Sequence, residues 1–161
     1  MVPGSSPGGG STLLVHSLAV RCGRLIDSNA YPPCLRGLDC ILIYSRCLEQ
    51  LNPRILLDAK FVGCAAFATC PEEHHINMLG FKLAGMISRA LPRRVAVLTV
   101  DGSMHCIQLH YMLEEVEKIS GHRFERRHYV AVDGIVHEIS PRVVRLSRFL
   151  SKLEKLAEQQ E

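Results

Sequence analysis

Two stretches of the chain pair a thiol with an imidazole at the same spacing. Cys70 and His74 follow an apolar run that begins at Phe61, and Cys106 and His110 follow the run from Val95 to Val100. Each pair reads Cys-x-x-x-His, a separation of four residues that puts both side chains on one helix face, one turn apart. Thiolate and imidazole are soft ligands for zinc and iron. If the two loops converge, Cys70, His74, Cys106 and His110 supply two thiolates and two imidazoles. That set satisfies tetrahedral zinc and resembles the mixed Cys/His ligation of some iron–sulfur centres. Cys64, His75, Asp101 and His105 are spare donors in the same loops, and Cys34, Cys40 and Cys47 remain upstream for cluster assembly.

The second loop supports a different chemistry as well. Cys106 falls in the first turn of an expected helix, where unpaired amides and the helix dipole favour an anion. His105 or His110 is then a candidate base and Asp101 its orienting group, as a cysteine nucleophile requires. The amides from Gly102 and Ser103 onward suit a phosphate or carboxylate, while Ser103 is also a preferred helix N-cap. Neither Cys-x-x-Cys nor the usual nucleotide, dinucleotide, serine-hydrolase or zinc-peptidase motifs occur in the chain.

Composition narrows the setting. The chain has 161 residues, 47 % hydrophobic and 22 % charged, which suits one soluble domain with an ordinary core. No uninterrupted apolar stretch reaches the roughly 20 residues of a membrane span. Residues 1–12 are rich in Gly, Ser and Pro and read as a flexible leader without the apolar core of a secretion signal. A cytoplasmic protein is therefore expected, and seven cysteines, an odd number, then argue against a disulfide framework. Cys22, Cys40 and Cys64 are expected to pack in the core. A net charge of +3 and only 6 % aromatic residues give no support to nucleic-acid binding. Arg123, Arg126 and Arg127 read as a solvated strand edge.

The elements that must position these residues alternate in type. Leu13 to Val20, Leu38 to Tyr44, Phe61 to Ala66 and Val95 to Val100 have strand character. Asn52-Pro53 signals a helix start, and a helix is expected over about 72–91 with Thr69 and Glu72 at capping-box spacing. Gly80 and Gly85 within it suggest close packing, and Pro92 ends it. A second helix runs from Ser103 to Ser120 with Gly121 as its stop. Asp133-Gly134 between two β-favouring runs predicts a hairpin, and Ser140-Pro141 opens a final amphipathic helix with a broad apolar stripe. Residues 13–161 are thus expected to form a single α/β domain. Its sheet is mostly parallel, of about four or five strands, with helices on both faces and a β-hairpin near the C-terminus. The three functional expectations are a zinc or iron–sulfur site with redox or regulatory use, a cysteine-dependent enzyme acting through Cys106, and a homodimer formed through the C-terminal helix.

Overall fold

The computed structural model describes residues 18–160; the leader lies outside them, as does most of the first expected strand. Six strands form one sheet: β1 (Val20–Arg24), β2 (Cys40–Ser45), β3 (Cys64–Thr69), β4 (Arg94–Val100), β5 (Glu125–Val132) and β6 (Ile135–Ile139). Their spatial order is β1-β3-β2-β4-β5-β6, parallel throughout except for the β5–β6 hairpin. Asp133 and Gly134 both take positive φ at its turn, which an Asp-Gly pair accommodates readily.

Two long helices, α2 (Ile76–Ala90) and α3 (Ile107–Ser120), cover the same face of the sheet. Leu79, Leu83, Leu109 and Leu113 pack there on Ile41, Ile43, Phe67, Val95 and Val97. Gly80 belongs to the seam between the helices, where a Cβ would stand 3.3 Å from Met112 Cγ. α2 begins later than its capping-box signal suggests. Thr69 completes β3, and the ring of His75 caps the helix by accepting from the Asn77 amide at 3.3 Å.

The opposite face is covered by short turns. The one-turn helix α1 (Leu48–Leu51) is followed by 3-10 turns at Ile55–Leu57 and Ala59–Phe61. The helix expected from Asn52-Pro53 is absent: Asn52 closes α1, and Asp58 turns extended and caps the next turn through the Lys60 amide. Leu48, Ile55, Leu56 and Phe61 nonetheless seal Leu42, Tyr44, Leu98 and Tyr129 into a second core. The C-terminal helix is broken into α4 (Pro141–Leu146) and α5 (Leu150–Ala157). Val144 of α4 is buried, whereas no residue of α5 is. Among the described residues no helix is long and apolar enough to cross a membrane.

Cysteine pairing departs from the sequence expectation. Cys22 bonds to Cys34, and Cys40 to Cys64. Cys40 and Cys64 do lie in the core, as expected, but they are directly opposed on adjacent parallel strands with Cα atoms 4.4 Å apart. That register, invisible in a sequence separation of 24, makes a cross-link possible. Cys47, Cys70 and Cys106 remain as thiols.

Candidate functional site

All three remaining thiols follow the carboxyl ends of adjacent strands. β2 ends at Ser45 and leads to Cys47; β3, beside it, ends at Thr69 and leads to Cys70; β4, on its other side, ends at Val100 and leads to Cys106. The chain leaves β2 toward β3 and then crosses back over β2 to β4, so the loops beyond β2 and β4 part and leave a crevice. Because α2 and α3 share one face, the Cys70 and Cys106 loops open on the same side of the sheet.

The loops are tied together locally. The Arg46 amide donates to Thr69 O at 2.9 Å, and the Glu73 and His74 amides both return to Cys70 O at 3.1 Å, folding Cys70–His74 into one turn. His105 Nδ1 meets Glu72 at 2.6 Å, joining the β3 loop to the β4 loop. Glu73 pairs with Arg24 at 2.9 Å and with Arg46. Ser103 Oγ accepts from the Cys106 amide at 3.3 Å, which closes the turn before α3, whereas the N-cap of α3 itself is Cys106, without a side-chain bond; Gly102 takes φ +75° just before Ser103.

Within this belt of ion pairs the thiols grade from exposed Cys47 through half-buried Cys70 to buried Cys106. The Cys47 thiol is pushed above its ordinary value by burial first, then by the neighbouring Cys106 and Cys70 thiols and by Glu72. Ser45 Oγ donates to Cys106 Sγ at 3.1 Å. Thr69 shares Ser45's face by register, and its Oγ1 is buried without a hydrogen-bond partner.

The Cys-x-x-x-His spacing does not act as a unit. His110 lies four residues beyond Cys106 but faces the other side of β4: its Nε2 is 2.9 Å from Thr99 Oγ1 and its Nδ1 is 3.0 Å from His128 Nδ1. Burial first, then His128, pushes His110 down to about 3; burial first, then Arg126, pushes His128 down to about 4. His74 is half-buried beside the thiols' loop. Of the nucleophile set, Cys106 meets Ser45, His105 meets Glu72, and Asp101 is exposed with its amide on Ala131 O. Ser45 was missed, and Cys47 was named only as a spare upstream donor for a cluster. The signal available for Cys47 was its place just after the end of a third strand.

Beside the thiols, beyond β4 and β5, a cavity of about 280 Å³ opens between the α3 N-terminus and α4. Thr99, His110, Val130, Ile139 and Val144 line it, with Asp101 and Ser103 among its other lining residues. A protein family described as a Rossmann-like domain matches residues 32–161, the span that holds all three thiols and the cavity. No curated protein and no solved structure matches the chain.

Proposed function

The chain belongs to the Rossmann-like domain family, and on that premise we propose that it holds an iron–sulfur cluster through the thiolates of Cys47, Cys70 and Cys106, for redox or regulatory use. The observation that supports this reading is that three reduced cysteines follow the carboxyl ends of three adjacent strands, with Cys106 and Cys70 both pushing the Cys47 thiol up. Thiolate ligation is the protein's standard contribution to such clusters.

A cluster is favoured over a single metal ion. Among the described residues no three His, Cys, Asp or Glu side chains are spaced to hold one ion. Sulfurs that ligate different irons of one cluster stand farther apart than the ligands of a single ion do. The surroundings match as well. Ser45 donates to the Cys106 sulfur and Thr69 carries a hydroxyl without a partner, and hydroxyl donors to sulfur are one of the means by which proteins set cluster potentials. Three cysteines would leave one iron of a four-iron cluster without a protein thiolate.

Anaerobic reconstitution with ferrous iron and sulfide tests this. The expected product carries about four irons per chain, as cluster ligation implies, with visible charge-transfer absorption and a reduced-state electron paramagnetic resonance signal. Cys47→Ser, Cys70→Ser and Cys106→Ser should each reduce iron content, and His110→Gln should not. A folded chain that takes up no iron, or one that carries stoichiometric zinc in place of iron, overturns the proposal.

A further inference from the structure

We propose that the cavity beyond β4 and β5 is a binding site for an uncharged small molecule with an apolar body and a single hydroxyl or carbonyl head, received by the Thr99 hydroxyl. The inference is independent of the thiol site, since none of the three thiols lines this cavity.

Size and lining set the class. A dry apolar cavity of about 150 Å³ already accepts benzene, and this one measures about 280 Å³. Val130, Ile139, Val143 and Val144 supply walls for an apolar body. No Lys or Arg lines the cavity, so an anion finds no counter-charge from a side chain. Among the described residues the only charged one in the lining, Asp101, is itself exposed to water. A cation deeper in would face His110, whose imidazole stays neutral at physiological pH because burial first, then His128, holds it well below its ordinary range. An uncharged guest fits best.

The head contact follows from hydrogen-bond accounting. Between His110 Nδ1 and His128 Nδ1 one nitrogen donates and the other accepts. If His110 Nδ1 donates, its Nε2 accepts from Thr99, and the Thr99 oxygen keeps a lone pair for a guest hydroxyl. If His128 Nδ1 donates, His110 Nε2–H donates to Thr99, and the Thr99 hydroxyl proton turns to a guest carbonyl. His128 Nε2 is buried without a partner, so no further protein contact fixes the choice. Thr99 can therefore offer either a donor or an acceptor.

Phenol, benzene and benzoate serve as probes, titrated into the intact chain by calorimetry and followed through the Val130 and Val144 methyl resonances. Phenol should bind saturably and about tenfold tighter than benzene, the value of one net hydrogen bond, and benzoate should bind more weakly than phenol. Thr99→Val should erase the preference for phenol over benzene, Thr99→Ser should keep it, and Val143→Trp should abolish binding of both. Should Thr99→Val fail to fold, contacts from the phenol ring to the Val130 and Val144 methyls decide the location in the native chain. Absence of saturable binding by phenol, benzoate binding as tightly as phenol, or phenol binding unaffected by Val143→Trp overturns the inference.

Discussion

Acidification from pH 7 to pH 5 should remove about 4 kcal/mol of folding stability through His110 and His128 alone. In the folded chain these imidazoles titrate at about 3 and about 4, whereas in the unfolded chain each has the ordinary value near 6.5. Between those limits the unfolded state binds protons that the folded state refuses, so stability rises with pH and is lost as pH falls below about 6.5. At pH 5 each site lies about 1.5 units below its unfolded value, worth about 2 kcal/mol, and the loss continues until the folded values are reached. For a domain with a total of about 5–15 kcal/mol this is a large fraction. The assay is urea unfolding of the purified protein at both pH values, with wild type compared with the His110→Gln/His128→Gln double variant. Other acid-labile groups are common to both proteins and cancel in the difference. The variant should lose less stability than the wild type by about 4 kcal/mol. An equal loss in the two proteins refutes the reasoning. So do wild-type imidazole resonances that titrate near 6.5, a measurement that stands even if the variant does not fold.

Alkylation of the denatured chain without reductant, followed by mass analysis, should label Cys47, Cys70 and Cys106 only, and reduction should expose Cys22, Cys34, Cys40 and Cys64 as well; labelling of Cys40 or Cys64 before reduction would refute the cross-strand bond. Gly80→Leu should destabilise by about 1–3 kcal/mol in thermal unfolding, because its Cβ starts 3.3 Å from Met112 Cγ and the rest of the side chain overpacks the seam. Ser140→Ala should cost about 1 kcal/mol by removing the oxygen that accepts the Val143 amide at 3.3 Å; an unchanged midpoint would mean that α4 docks without its cap.

The sheet's parallel core and its hairpin were legible because their signals are local. The nearly continuous apolar run of β4 marks a strand covered on both faces, and Asp133-Gly134 encodes its turn outright. The region between β2 and β3 was not legible. There Asn52-Pro53 imitates a helix start, while burial of Ile55, Leu56 and Phe61 is achieved by turns too short to show periodicity. At the site, the sequence located the two loops but misassigned the partners. The i, i+4 relation places Cys106 and His110 on one side of α3, yet β4 has a neighbour on each side. Cys106 reaches Ser45 of β2 and His110 reaches His128 of β5. Strand order decided the outcome, and strand order is not a local property.

Burial of polar groups at this edge gives a last prediction. Ser45, Thr69, Thr99, His110 and His128 are all buried on the face that α2 and α3 cover, where valine or leucine would pack at no desolvation cost. Ser45, Thr99 and His110 have partners, but Thr69 Oγ1 and one nitrogen of His128 do not. The first orphan belongs to the residue before Cys70, and the second to the partner of His110, which lines the cavity. Thr69→Val keeps the shape of the side chain and removes the unsatisfied hydroxyl, so the iron-free chain should gain about 1 kcal/mol in urea unfolding. The same change should shift the reduction potential of the reconstituted cluster, because a donor close to its sulfurs is lost. Destabilisation of the iron-free variant would show that Thr69 is already hydrogen-bonded in solution, and the hydroxyl could then no longer be assigned to a ligand.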